Sequence, residues 1–290
     1  MRRRTEAGWI LFFLAPYLLG LAVFVLGPMG YAAWTSLTSR SLFGPGHFVG
    51  LANYRKLVDD PTFWQAAWNT LYYALLVVPT ELMAALGMAL LLNRRLRGIG
   101  FFRGVYFLPF VLSLVSVGLL WTWIYSPGLG PVAHLMSLVG LQAPGWLVYP
   151  GLAMPAVAFT SVWRNAGYYT VIFLAGLQAL PRELEEAASV DGTSAWQRFI
   201  HVTLPLLSPT IFFTLVIATI WAAQVFDLTY IMTGGGPQNA TLSLAQYVYQ
   251  AAFDNGQMGY ASAISWALLA AVLLLTAVYF RAQRRWVHYG

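Results

Sequence analysis

Residues 68–97 read WNTLYYALLVVPTELMAALGMALLLNRRLR, and this stretch decides the fold. From Trp68 to Leu92 there are 25 residues with one charged side chain, Glu81; the chain then runs directly into Asn93-Arg94-Arg95-Leu96-Arg97. About 20 mostly apolar residues suffice to cross a bilayer as a helix. Arg and Lys collect in the loops that stay in the cytoplasm. The stretch therefore reads as a spanning helix that leaves the lipid at its arginine cluster, on the inner side.

The rest of the chain has the same character. Of its 290 residues 59% are hydrophobic, 16% aromatic and only 9% charged, with a mean hydropathy of +0.65. A soluble domain carries about 25% charged residues, so a water-facing surface of ordinary charge density cannot be built. This excludes a cytoplasmic globular enzyme, a nucleic-acid binder and a disordered chain. The net charge of +6 is then a matter of placement across a membrane. With no cysteine, the chain has no disulfide framework, thiolate nucleophile or cysteine metal site.

Six apolar stretches are long enough to span: about Trp9–Tyr31, Trp68–Leu92, Gly104–Tyr125, Leu152–Leu177, Leu204–Phe226 and Ala261–Phe280. The expected fold is an all-α integral membrane protein with six transmembrane helices, forming a single transmembrane domain over residues 1–290. With the N-terminus inside, the cytoplasmic segments hold twelve basic residues: Arg2, Arg3, Arg4, Arg94, Arg95, Arg97, Arg103, Arg182, Arg198, Arg281, Arg284 and Arg285. The outside loops hold three, Arg40, Arg55 and Lys56. The asymmetry puts both termini in the cytoplasm. The apolar run after Arg2-Arg3-Arg4 is too long for a signal-peptide core and lacks a small-x-small cleavage site, so it reads as a retained first span. The outside loop at Asp60-Pro61, followed by Thr62-Phe63-Trp64-Gln65, reads as a short interfacial helix entering the second span.

The inside loop between spans four and five, residues 180–205, reads LPRELEEAASVDGTSAWQRFIHVTLP. Pro181 suits a first helical position, and Glu183, Glu185 and Glu186 complement the helix dipole. Asp191-Gly192 stops that helix, with Gly able to take the left-handed conformation. Thr193 or Ser194 can cap a second helix with Trp196, Phe199 and Ile200 on one face. Four acids against two bases give a net charge of −2, the wrong sign for an amphipathic helix on an anionic membrane. An acidic loop with small residues at Ala187 and Ala188 suits a protein groove better; an ordinary connector is the alternative reading.

Glu186-Ala187-Ala188, Asp191-Gly192, Phe199, Val202, Leu204 and Pro205 resemble the EAA loop of ABC importer permeases, departing mildly at Thr193 and Val202. Trp163-Arg164-Asn165-Ala166-Gly167-Tyr168 resembles the fourth-span motif of carbohydrate-type permeases. Phe226-Asp227-Leu228, Thr233-Gly234-Gly235-Gly236-Pro237, Asn53-Tyr54, Phe63-Trp64 with Asn69-Thr70-Leu71, and Gly259-Tyr260-Ala261-Ser262-Ala263 fit the same family in order. The resemblance implies a transmembrane subunit of a binding-protein-dependent, ATP-driven importer of a sugar, oligosaccharide or polyol derivative, the glycerol-phosphate type included. It also implies a multi-pass protein of the bacterial cytoplasmic (inner) membrane. The implied partners are a second permease subunit, identical or different with a heterodimer favoured, an ABC ATPase dimer and an extracytoplasmic solute-binding protein. The resemblance places the ATPase on a coupling loop at about residues 181–204, through Glu183, Glu186, Ala187, Ala188, Asp191, Gly192 and Phe199.

The chain itself has no phosphate-binding loop: such a loop needs a Gly-Lys step, and the one lysine, Lys56, follows Arg55. No catalytic residue and no cofactor are expected here, with ATP and Mg on the partner ATPase. The glycines of Gly234-Gly235-Gly236-Pro237 read as a turn. His47, His134, His201 and His288 lack metal-ligand spacing, and no metal is expected. Trp121, Trp123, Trp146 and Tyr149 read as an interfacial belt, with sugar stacking as the alternative.

Intramembrane ionisable groups are functional candidates by default. Glu81 lies about 18 Å and Arg164 about 22 Å from the inner ends of their spans, at 1.5 Å per residue. They can pair with each other, or either can face an aqueous pathway. The candidate substrate-pathway residues are Arg164, Asn165, Tyr168, Gln224 and Asp227. The competing reading is an ion-coupled secondary carrier of small polar solutes, with Glu81 as the coupling carboxylate. A membrane enzyme would need clustered His, Asp and Glu, which the sequence does not show.

The topology is tested with an extracytoplasmic-only reporter, expected to be silent after Gly290 and active near Gln238. The reverse pattern contradicts the orientation.

Overall fold

The computed structural model describes residues 2–93, 98–181, 183, 184, 188, 190 and 192–287, with side chains from residue 12. Helix α1 (Arg2–Leu21) passes through a π-turn at Ala22–Leu26 into α2 (Gly27–Ser36). Then come α3 (Ala52–Asp59), α4 (Pro61–Leu92), α5 (Ile99–Val111), α6 (Leu114–Ile124), α7 (Pro131–Leu138) and α8 (Pro150–Gln178). A short α9 (Ala195–Arg198) continues through a π-turn, Phe199–Thr203, and one more turn, Leu204–Leu206. The chain ends with α10 (Ser208–Ala223), α11 (Asp227–Thr233), α12 (Leu244–Tyr249) and α13 (Met258–Ala282). Among the described residues the only β pairing is one isolated bridge, Thr38 to Phe48.

Among the described residues, three helical stretches are long and apolar enough to cross a membrane: Phe12–Ser36, Pro61–Leu92 and Met258–Arg285. Two of the expected spans are not single straight helices. The one expected at Gly104–Tyr125 is broken between α5 and α6, which bend by 95°. Leu112 and Ser113 are extended there, with ψ of 147° and 133°. The one expected at Leu204–Phe226 bends by 67° between Ala195–Leu206 and Ser208–Ala223. Its cause lies in the sequence: Pro209 has no N–H to give the Pro205 carbonyl, and the Ser208 hydroxyl donates to that carbonyl instead, at 2.5 Å. Counting each bent pair as one span gives up to five. The expected fourth span, α8, is 29 residues long but too polar to join them, because Thr160, Ser161, Arg164 and Asn165 lie along it. The expected interfacial helix before span two is the start of α4 itself: Pro61 opens the helix, and Asp60 Oδ1 accepts from the Thr62 N–H at 2.9 Å.

The chain forms two compact units. In the first, Met1–Phe63 with Tyr247–Ala267, Asn53 Nδ2 donates to the carbonyls of Ser36 and Thr38, both at 2.8 Å. The Tyr247 and Tyr260 hydroxyls both donate to Asp60 Oδ2. Burial pushes the Asp60 carboxyl up, but these two bonds and the Thr62 and Phe63 N–H groups outweigh it and hold it below its ordinary value. Burial and the bond to Asp60 push Tyr247 up to about 12. Lys56 lies 4.2 Å over the Tyr260 ring and donates to Gln257 Oε1 at 2.6 Å.

The second unit is Trp64–Gln246 with Leu268–Gly290. Its core includes Tyr73 and Val77 of α4, and Met154, Tyr169, Phe173 and Leu174 of α8. Helix α5 packs along α8 and α6 along α11. Gly167 makes the first contact possible, since a Cβ there would lie 2.0 Å from the Tyr106 carbonyl oxygen. Asn69 Nδ2 donates to the carbonyls of Asn239 (2.6 Å) and Leu242 (3.0 Å), and Thr70 Oγ1 accepts from the Leu244 N–H. The Asn69-Thr70 pair thus fastens the loop that follows the glycine run, and that run ends α11 as a turn.

Candidate functional site

The break between α5 and α6 and the Gln224–Phe226 step between α10 and α11 meet at one cavity of about 290 Å³, lined by Phe110 and Leu114 on one side and by Gln224, Val225, Phe226, Asp227 and Leu228 on the other. Four of the five pathway residues expected from the sequence line it: Arg164, Asn165, Gln224 and Asp227. The fifth, Tyr168, stands behind, its ring stacked 4.6 Å from Phe110 and 5.2 Å from Trp221. Phe110 and Trp221 do face the cavity, as do Tyr73, Ser161 and Phe226.

Phe226 belongs to the Phe226-Asp227-Leu228 motif; the other four were not singled out from the sequence, although helical spacing held a signal for some. Ser161 lies four residues before Asn165, Trp221 three before Gln224, and Tyr73 two turns before Glu81. What the spacing lacked was the break that turns Phe110 toward α8. The interfacial aromatics belong elsewhere: Trp121 packs on Tyr125, Phe159 and Trp163.

Asn165 links the two intramembrane charges. Its Nδ2 donates to Glu81 Oε1 at 2.9 Å, and its Oδ1 accepts from Arg164 Nη1 at 2.9 Å. The Ser161 hydroxyl adds a second donor to Glu81 at 3.3 Å. Glu81 is 2% exposed, so it is oriented by these donors and stands behind the cavity wall. Arg164 Nη2 reaches the carbonyls of Phe110 (3.0 Å) and Leu112 (3.4 Å). These carbonyls end α5 and have no helical partner. In lipid such groups must be satisfied by protein, and a cation at a helix C-terminus is favoured by its dipole. Of the alternatives open for Glu81 and Arg164, the structure shows a relay through Asn165 in place of a direct pair.

The sequence also singles out the loop that leads into α9. Gly192 has φ +76°, with nothing within 4 Å of where a Cβ would stand. Ser194 is the cap of α9, in a reciprocal capping box with Gln197. Arg198 donates back to the Thr193 carbonyl at 2.9 Å. Residues 192–198 are therefore a fixed turn, and apolar groups lie uncovered around it: Val190 is 87% and Trp196 68% exposed, with Trp196 stacked on Phe199. Glu183 is helical and exposed and Ala188 half-buried. Glu186, Ala187 and Asp191 lie outside the described residues, as does His288. Among the described residues, no group of three His, Asp or Glu could hold a metal ion.

A membrane-spanning chain with broken helices around a polar and aromatic cavity is built as a transport protein. The profile of the family described as "Binding-protein-dependent transport system inner membrane component" matches residues 62–287, and the chain belongs to that family. It is 37% identical to the sulfoquinovosyl glycerol transport system permease protein SmoG of Agrobacterium fabrum, over 93% of this chain and 89% of that one. It is 34% identical to the trehalose/maltose transport system permease protein MalF of Thermococcus litoralis, over 97% and 95%. Its fold matches a chain of a bacterial alginate ABC transporter solved with an alginate pentasaccharide-bound periplasmic protein. The TM-score is 0.87 at 23% identity, covering 100% of this chain and 99% of that one. The protein is a permease of the inner membrane, and no observation favours an ion-coupled carrier.

The two kinds of cavity residue should separate on mutation. Gln224→Ala should leave assembly intact and weaken substrate uptake roughly 2- to 10-fold, the worth of one hydrogen bond. Arg164→Ala strands the Phe110 and Leu112 carbonyls at about 1–3 kcal/mol per unsatisfied group, so it should lower thermal stability and assembly. An Arg164→Ala protein of unchanged stability contradicts the capping role.

Proposed function

We propose that the chain is the transmembrane subunit of an ATP-driven ABC importer for a sugar, oligosaccharide or polyol derivative. The cavity carries this reading: helix breaks beside aromatic faces, two amides, an arginine and a carboxylate suit a hydroxyl-rich solute moving through a helical bundle. The relatives named for sulfoquinovosyl glycerol and for trehalose and maltose support the same class of cargo. The chain crosses the membrane six times, α8 being the span whose polarity belongs to the pathway, with both termini in the cytoplasm. A second permease subunit supplies the opposite wall, a solute-binding protein delivers cargo from outside, and an ATPase dimer holds ATP and Mg.

The coupling loop at about residues 181–204 docks the ATPase, with Glu183, Glu186, Ala187, Ala188, Asp191, Gly192 and Phe199 at the contact. Its fixed turn and uncovered Val190 and Trp196 support this. Gly192→Val is the test. A side chain in the left-handed region costs roughly 1–2 kcal/mol, while no span is touched. With all subunits co-expressed, the variant should insert normally, co-purify with less ATPase and lose uptake driven by the loaded binding protein. Wild-type ATPase recovery and uptake would remove the coupling role from this loop. Uptake by the purified single chain, driven by an ion gradient, would overturn the importer reading.

A further inference from the structure

We propose that a second cavity, between α6, α7 and the start of α8, is a binding site for one membrane phospholipid. An acyl chain fills it, and a glycerol-ester carbonyl accepts from the tryptophans of its wall. The site is separate from the substrate pathway and goes beyond the importer reading.

The first support is the lining. The cavity holds about 410 Å³, within the roughly 300–1,000 Å³ of small-molecule sites. Trp121 and Tyr125 of α6, Trp146, and Pro155, Ala156 and Phe159 of α8 face it. No lining residue is charged or carries an amide or carboxyl side chain, so the site does not suit a hydroxyl-rich solute. Its wall is fixed. The Tyr125 ring packs 5.2 Å from Trp121 and 6.1 Å from Trp146, and its hydroxyl donates to the Ala156 carbonyl at 3.2 Å. In the flanking segments Leu129, Val148 and Tyr149 are exposed, an apolar surface suited to lipid.

The second support is hydrogen-bond chemistry. Trp121 Nε1 and Trp146 Nε1 are both withdrawn from solvent and have no hydrogen-bond partner. A buried indole N–H ordinarily has one, and inside a bilayer no water is at hand to supply it. Indole nitrogens only donate, so two such donors on an apolar wall call for an apolar occupant that brings acceptors. A spanning helix of another subunit does not, because its carbonyls are taken by its own N–H groups. A phospholipid does: its ester carbonyls stand free at the head of its acyl chains. Lipid is as apolar as the cavity, so retention of one molecule rests on close packing and on these hydrogen bonds.

The test uses the complete transporter with its partner subunits, washed free of bulk lipid in detergent. It is reloaded with dioleoyl phosphatidylglycerol or with the dialkyl ether counterpart, and native mass spectrometry counts the lipids retained. The ester lipid with a diazirine in one acyl chain maps the site. The wild type should retain the ester lipid and cross-link to it at residues 121–125 or 152–159. The ether lipid, which lacks the carbonyls, should be retained roughly 2- to 10-fold less, the worth of one hydrogen bond. Trp121→Phe and Trp146→Phe keep an aromatic ring, remove the N–H and should shrink that difference. Leu152→Trp fills the cavity and should abolish the cross-links at unchanged thermal stability; should it fail to assemble, the phenylalanine variants decide. The assignment is overturned by a wild type that retains no lipid or retains both lipids alike, or by cross-links at other residues only. An undiminished difference in both phenylalanine variants, or undiminished cross-links in Leu152→Trp, overturns it equally.

Discussion

In a bilayer every backbone N–H and C=O must find its partner within the protein, and this chain interrupts two of its spanning helices under that constraint. The interruption after α5 leaves carbonyls at Phe110 and Leu112, and the Arg164 guanidinium takes both. Arg164 is then held by Asn165, and Asn165 by the buried Glu81 of α4. One polar chain thus runs from α4 through α8 to the broken end of α5. Without it the break would be unsatisfied polar backbone in lipid. With it, the break is a stable wall of a cavity.

Farther along, the Gln224–Phe226 step separates α10 from α11. The Ser243 hydroxyl donates to the Val225 carbonyl there at 2.5 Å, and Gln224 and Asp227 open into the cavity. The same helix, followed backwards, leads to the bend at Leu207 and on to α9 and the turn at Gly192. At 1.5 Å per residue, the 16 residues of α10 put about 24 Å of rigid helix between the bend and the cavity wall. The inner loop and the cavity wall are therefore parts of one continuous segment, which is the geometry a coupling element requires.

Much of this was legible in the sequence, for identifiable reasons. Apolar runs announce helices, because burial in lipid needs both apolar side chains and internally satisfied backbone. Gly192 was readable as a left-handed turn since Asp-Gly after an acidic helix offers few alternatives. Arg164, Asn165, Gln224 and Asp227 stood out as polar groups where lipid would be. The helix breaks were less visible. Pro109 lies before the first break without locating it, and Leu112-Ser113 has no residue that forbids a helix; the extended backbone there is held by Arg164 from a different helix. For the same reason nothing in the sequence sets Phe110, Trp221 and Tyr73 apart from other membrane aromatics. The relay through Asn165 was also hidden, since a charge of either sign in a span suggests a direct pair before it suggests an amide between the two.

The central claim is that the broken helices enclose a wet cavity rather than a packed seam, and the absence of cysteine from the chain allows it to be measured directly. Single substitutions Gln224→Cys, at the second break, and Leu119→Cys, exposed on the apolar face of α6, are made in the complete transporter. In nanodiscs, where both membrane faces are accessible, each is treated with a hydrophilic, charged thiol reagent. The cavity predicts rapid modification at position 224, slowed by bound sugar, and little at position 119, outside the cavity. An inert cysteine at position 224, or equal reactivity at the two positions, would contradict it.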